Sequence, residues 1–215
     1  IGYHYMDIMR CSGANENWVK YLGGSMGTIF LTSIEILDGF STAWGFSWSD
    51  MAANSIGSGI LIGQEALWGE QRIKLRISYS PSGLAKYRPN LLGSGITEEM
   101  LKDYNAQTYW VSANIHSFIP NQESRFPRWL NVAVGYGGQN MLGAFSNPAV
   151  DSEGHALPQL DRYRQFYFSL DFDLTRIRTK SRVLRSIFRS ISIIKIPFPA
   201  VEFNKNGVKF HPFFF

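Results

Sequence analysis

The sequence predicts an α+β protein: an N-terminal packed helical hairpin, then an antiparallel β-sheet, partial and barrel-like, with a basic amphipathic helix. Three observations predict it. Two stretches before residue 70 are rich in small residues and bounded by helix start and stop signals. After Gly69 the apolar residues switch to strict alternation. Between 179 and 194 they return to helical spacing, now fringed by arginines. The first switch divides the chain into a helical unit, 1–70, and a β unit, 71–215, with an interfacial helix at 179–194.

Residues 1–11 are compatible with a helix ending near Ser12-Gly13. Asn15 or Asn17 caps a second helix, expected from about Trp18 to Leu37. Its middle, YLGGSMGTIFLTSI, carries no charge, and Gly23, Gly24, Ser25 and Gly27 leave room for close backbone approach. A connector with Trp44, Phe46 and Trp48 leads to a third helix, about Ser49 to Trp68. Ala52, Ala53, Gly57, Gly59 and Gly63 give this helix a second small-residue surface. A bilayer span needs about 20 apolar residues. Both uncharged windows fall short, so a buried or interfacial hairpin is expected instead of two spans.

In QRIKLRISYS, Ile73, Leu75, Ile77 and Tyr79 share one face, and Arg72, Lys74, Arg76 and Ser78 share the other. Thr97-Glu98-Glu99 opens a short helix. TYWVSANIHSFI and WLNVAVGYG alternate as strands, and GYGG (135–138) reads as a bend or a close strand contact. After a Gly/Pro/Asp/Ser-rich loop comes QFYFSLDFDLT, the clearest strand, in which Asp171 and Asp173 point to the polar face. In TKSRVLRSIFRSISII the stripe is Val183, Leu184, Ile187, Phe188, Ile191 and Ile194, flanked by Arg182, Arg185 and Arg189. This is the pattern of a helix lying in a membrane interface; a helix packed on the sheet has the same spacing. VEFNKNGVKF reads as a hairpin turning at Asn206-Gly207. Five or six strands result. Closed outer-membrane barrels start at eight, so a self-contained pore is not expected.

The chain has 215 residues, 45% hydrophobic and 18% charged, enough for a packed core and unlike a disordered tail. The net charge is +4, and six of the 21 basic residues fall between Arg176 and Arg189. That concentration points to an anionic surface. The isoleucine stripe and the lack of a DNA or RNA motif favour lipid or a protein partner over nucleic acid. The lone Cys11 forms no intrachain disulfide. The chain opens IGYHYMDIMR, without an initiator Met or signal-peptide pattern, and reads as one entered within a helix, so a preceding segment is expected.

Glu35 and Asp38, three apart, share a helix face; so do Asp50 and Asn54, four apart. If the two helices pack antiparallel, these faces meet near the connector. Such a cluster offers a divalent-metal site (Glu35, Asp38, Asp50) or a general base. The simpler reading is structural: Ser47-Trp48-Ser49-Asp50 is an S-x-x-D capping box. His4, His116, His155 and His211 lack metal-ligand spacing, and the P-loop, G-x-S-x-G and G-x-G-x-x-G patterns are missing, so neither a cofactor nor a metal is expected.

"GGSMGTIFLTSIEILDGFSTAWGFSWSDMAANSIGSGILIGQE", with "LKDYNAQTYW", "FPRWLNVAVGYG" and "NKNGVKFHPFFF", resembles a Bacteroidetes cell-envelope family of predicted periplasmic or outer-membrane lipoproteins of unknown function. The resemblance covers nearly the whole chain. The E-x-x-D…S-x-x-D-x-x-x-N core (Glu35, Asp38, Ser47, Asp50, Asn54) is also similar to the wider VanZ-like group. Members usually open with D-K-x-x-H, which this sequence lacks. The resemblance implies location, not chemistry. The final HPFFF resembles the aromatic C-terminus that outer-membrane barrels present to their insertion machinery, although Pro212 interrupts a regular strand end.

The functional expectation is a non-enzymatic accessory subunit of a bacterial outer-membrane assembly, in protein export or barrel biogenesis. It would be held to the outer membrane, to anionic lipid or to other envelope proteins by Arg182, Val183, Leu184, Arg185, Ile187, Phe188, Arg189 and Ile191. The alternatives are a membrane-interface enzyme acting on lipid or glycan through Glu35, Asp38, Asp50 and Asn54, and a lipid carrier.

Overall fold

The computed structural model describes residues 1–40, 45–120, 125–151 and 154–214. The chain forms two compact units, Ile1–Arg72 and Ile73–Phe215.

The first unit is helical. Helix α1 (Gly2–Cys11) precedes a helical run made of α2 (Glu16–Trp18), a π-helical stretch at Val19–Gly23 and α3 (Gly24–Gly39). Asn15 is the cap: its side chain accepts from the Asn17 amide at 2.9 Å. Helix α4 (Trp48–Trp68) ends on Gly69, whose φ of 66° is the left-handed value that glycine adopts without strain. Two buried apolar side chains, Met6 and Val19, sit at the centre. The small residues divide unequally. A methyl group on Gly24 would lie 2.5 Å from Ile62, so this glycine admits the neighbouring helix. Gly57, Gly59 and Gly63 of α4 face nothing within 4 Å. From α4 the contact is made by Ile62 and by the small Ser58, whose hydroxyl pairs with that of Thr28 at 2.8 Å, and not by its glycines. None of the described helices is long and apolar enough to cross a membrane.

A buried polar knot closes this unit. Arg10 reaches Glu65 at 2.6 Å. Gln71 donates to the other Glu65 oxygen at 2.9 Å and to the Leu61 carbonyl at 2.9 Å. Gln64 donates to Gln71 at 3.0 Å. The knot ties the end of α1 to the end of α4, where the apolar core is thin.

The second unit is an antiparallel meander of six strands in chain order: β1 (Ile73–Tyr79), β2 (Gln107–Asn114), β3 (Leu130–Gln139), β4 (Tyr163–Phe172), β5 (Phe198–Asn204) and β6 (Gly207–Phe214). β1 and β6 do not pair, so the sheet is open. Short helices α5 (Pro89–Leu92) and α6 (Ile96–Lys102) lie in the β1–β2 connection, and α7 (Arg182–Ser190) in the β4–β5 connection. Leu84, Ala85 and Leu92 pack with Leu142 and Leu157, joining the β1–β2 and β3–β4 connections in a small apolar core.

Register aligns the alternation across all six strands. One row reads Leu75, Val111, Val134, Phe168, Val201, Phe210; the next reads Ile77, Tyr109, Tyr136, Phe166, Phe203, Val208. Between them, on the opposite face, runs Arg76, Trp110, Gly135, Tyr167, Glu202, Lys209. The apolar rows are the outer ones: Leu75 is 65% exposed, Val134 55% and Phe210 63%. The polar rows are buried from β1 to β5, with Arg76 at 2% and both Asn131 and Asp171 at 0%, and become exposed at Lys209 of the edge strand. In a water-soluble sheet the apolar face turns inward. Here the alternation is reversed.

Gly135 has a specific task in this interior. A methyl group there would lie 2.7 Å from the Trp110 ring, so only glycine lets the indole cross β3. The expected close strand contact at GYGG is thus a side chain passing over backbone. The hairpin turn also differs in detail: Lys205 and Asn206 form the loop, and positive φ falls on Gly207 (124°), not on Asn206. β6 runs through Pro212 to Phe214, with a register shift opposite Phe198–Ala200. As an edge strand it loses no ladder bond to the proline, and a bulge absorbs the misfit.

Candidate interaction faces and a polar cavity

Of the four predicted cluster residues, Glu35 bonds through its carboxylate, and Asp38, Asp50 and Asn54 bond through backbone groups. Ser47 caps α4 by accepting from the Asp50 amide at 3.3 Å. In a capping box the acid three residues on returns a bond to the cap amide. Here Glu35, from the preceding helix, makes that bond: its carboxylate accepts from the Ser47 N–H at 3.1 Å. Asp38 offers its backbone carbonyl to the Gly45 amide at 3.1 Å. Asn54 offers its carbonyl to the Thr28 hydroxyl at 2.8 Å, and Asp50 is exposed in the first turn. Among the described residues no group of three His, Cys, Asp or Glu side chains is placed to hold a metal ion. Trp44 of the connector, and Phe215 at the end of HPFFF, lie outside the described residues.

The helix expected over 179–194 is shorter. α7 covers Arg182–Ser190, capped by the Ser181 hydroxyl, and a 3-10 turn continues it over Ile191–Ile193. Within its own unit the stripe is left open: Val183 is 70% exposed, and Leu184, Ile187 and Ile191 are exposed as well. Phe188 is half-buried. Arg182 and Arg185 are exposed beside the stripe, and Arg189 is half-buried. After the turn, the Lys195 amide donates to the Ile77 carbonyl at 2.9 Å, clasping the outer edge of β1. The Lys195 side chain then enters the sheet interior and stands over the Trp110 ring, 4.5 Å from its centroid. Burial pushes its ammonium down to about 8 against the pull of Asp171, and Arg76 acts in the same direction as burial.

The polar face has two ends of different character. At one end Arg76 meets Asp171 at 3.0 Å, and Asp173 gathers Lys74 (2.9 Å), Arg176 (3.3 Å) and Arg76 (3.7 Å). Ser112 donates to Asp171 at 2.6 Å and accepts from Asn131, which accepts from Asn114. Burial alone would raise the Asp173 carboxyl. Lys74, Thr175 and Arg76 act more strongly and hold it below the ordinary range.

At the other end a cavity of about 500 Å³ opens beside the β5–β6 hairpin. Glu202 stands in its wall, 2% exposed. It accepts from Gln165 (2.7 Å) and Asn204 (2.5 Å) and pairs with His211 Nε2 (2.7 Å). Burial raises its carboxyl, but these three partners prevail and the net shift is downward. Tyr167 and Phe214 pack at a tilt of 39° with centroids 4.4 Å apart and form the aromatic part of the wall with His211. The sequence reading missed this group. Gln165 and Tyr167 of β4 lie more than thirty residues before Glu202 and His211, and the four match no motif. The available signal was parity: all four occupy the polar phase of their strands.

Comparison with known proteins adds no relative: no family model, no curated protein and no solved structure matches the chain. The α+β class, with an unclosed six-stranded antiparallel sheet, stands on the structure itself.

Proposed function

We propose that this protein is a non-enzymatic accessory subunit of a bacterial outer-membrane protein assembly, seated at the membrane against a larger barrel or other envelope proteins. One observation carries the reading: the sheet is reversed, with aromatic and branched apolar rows outward and a charged, hydrogen-bonded interior. Such a face is costly in water and at home against lipid or an apolar protein wall. The open sheet argues for docking instead of an independent pore. An unpaired edge within lipid leaves backbone groups unsatisfied, and β6 has a free edge. α7 adds an arginine-fringed apolar stripe suited to an anionic interface. The resemblance to a cell-envelope lipoprotein family points to the same location.

The test is fractionation of native cells followed by extraction in mild detergent. The chain is expected in the membrane fraction, co-purifying with an outer-membrane protein. Replacing outward rings, Phe168→Ser with Phe210→Ser, is expected to release it while its circular dichroism stays unchanged. Recovery of the unaltered chain as a lone monomer in the soluble fraction would refute the proposal.

A further inference from the structure

The cavity beside the β5–β6 hairpin holds polar groups that the fold does not use. Four hydroxyls in its wall, those of Ser80, Thr108, Tyr163 and Tyr167, make no hydrogen bond to any described residue. Two belong to deeply buried residues, Thr108 at 6% and Tyr167 at 3% exposure. Neither hydroxyl is among the buried unpartnered atoms of the described residues, so both open onto the cavity, where water or a ligand can bond them. At the opposite end of the same face Ser112, Asn114, Asn131 and Thr175 are all engaged. The contrast singles out the cavity as a place where bonding capacity is kept in reserve. Its size lies within the range of small-molecule sites.

The chemistry of the wall narrows the occupant. The wall carries charge of both signs, the buried Glu202 carboxylate with His211 against it and an exposed Lys209, so an anion would meet a buried carboxylate and only an exposed lysine to offset it. A divalent cation is disfavoured because Glu202 already takes Gln165, Asn204 and His211, and among the described residues no second carboxylate lines the space. An acyl chain would leave the free hydroxyls unpaired and buried, which costs free energy at each one. What remains is a molecule that both donates and accepts at several points and has a flat apolar side to lay on a ring. Hydroxyls match this, since each is donor and acceptor at once, and Tyr163, Tyr167 and Phe214 supply rings.

We infer that this cavity is a binding site for a short neutral glycan, hydrogen-bonded by Ser80, Thr108, Tyr163 and Tyr167 and flanked by the Glu202–His211 pair. The Glu202 network fixes the wall: it joins β4 to β5 through Gln165 and β5 to β6 through His211. The inference does not depend on where the protein resides.

The experiment is saturation-transfer NMR on the full chain in lauryldimethylamine oxide micelles, a detergent without sugar. The probes are maltose, N,N′-diacetylchitobiose and inorganic phosphate. At least one of the two saccharides is expected to bind, and phosphate is not. Tyr167→Phe and Thr108→Val each delete one hydroxyl and keep the shape, and each is expected to weaken binding by about 3- to 10-fold. Near-UV circular dichroism should be unchanged in both variants, and Phe145→Ser, at an exposed residue that is not part of the cavity wall, should bind as the parent does. Failure of both saccharides to bind the parent chain overturns the inference, as does binding of phosphate in their place. Saccharide binding that neither variant weakens places the sugar elsewhere and overturns it equally.

Discussion

The two ends of the sheet's polar face are built from similar residues and put to opposite use. At the Asp171–Asp173 end, cations and carboxylates are consumed by one another, and the hydroxyls and amides between them are spent. At the Glu202–His211 end, the single carboxylate is satisfied, yet four hydroxyls around it are not. The first end resembles a filled core in which charge replaces hydrocarbon. The second resembles a mouth. The difference teaches that burial of polar groups has two meanings in one sheet: cohesion where the partners are internal, recognition where they are not.

The comparison breaks most severely at the cohesive end. Asp173→Ala leaves Lys74, Arg76 and Arg176 facing one another without their shared anion. It is expected to cost about 3–5 kcal/mol, read from the urea midpoint of the detergent-solubilised chain. Acid should act the same way on the intact chain. The Asp173 carboxyl is lower in the fold than its ordinary 3.8, so its contribution is complete above that value. It is lost as pH falls through the folded value.

Gly135→Ala comes next. The added methyl collides with the Trp110 ring, which Ser78 holds in place through the indole N–H at 2.9 Å. A loss of about 1–3 kcal/mol is expected, with a blue or red shift in tryptophan emission as the ring is displaced. Lys195→Met should move stability the other way at neutral pH, by roughly 1–2 kcal/mol, because a buried ammonium is removed. The sign with pH follows from its lowered value. Between about 8 and its ordinary 10.5, the unfolded chain binds the proton and the folded chain does not, so stability rises with pH in that window. The variant should show a flatter melting temperature between pH 8 and pH 10.

The smallest effect sharpens the contrast. Tyr167→Phe and Thr108→Val should change stability by less than about 0.5 kcal/mol, since neither hydroxyl is bonded within the fold. Ser112→Ala, which takes a hydroxyl from Asp171 and an acceptor from Asn131, should cost about 1–3 kcal/mol in the same assay. Equal losses at the two ends would erase the distinction between them.

Much of this was legible before any coordinates. Alternation is a strong signal over long strands, so QFYFSLDFDLT located β4, and Gly69 marked the helical stop. What alternation does not encode is which face is inside. Leu75 and Arg76 differ by one position, and the same pattern serves a sheet facing water or one facing grease. Burial of the arginine decides the matter, and it depends on Asp171 and Asp173 arriving from a distant strand. The Glu35–Ser47 bond was hidden for a similar reason: the capping box promised a local acid, and a neighbouring helix supplied it. The cavity was hidden more deeply, because its residues signal only through what they fail to bond. Pro212 misled in the other direction. A proline suggests the end of a strand, but an edge position with a bulge lets the strand continue.

The order of the strands has a consequence for how the unit assembles. Each strand pairs with its sequence neighbour, so hairpins can close one after another, at small entropic expense, without waiting for distant segments. The backbone clasp between Lys195 and Ile77 joins segments from far apart in the chain, as the Arg76–Asp171 and Lys74–Asp173 pairs do through side chains. That contact belongs late in folding. Until it forms, the free flank of β1 is open to a neighbouring chain, and slow closure there would be felt as aggregation, not as lost helix or sheet.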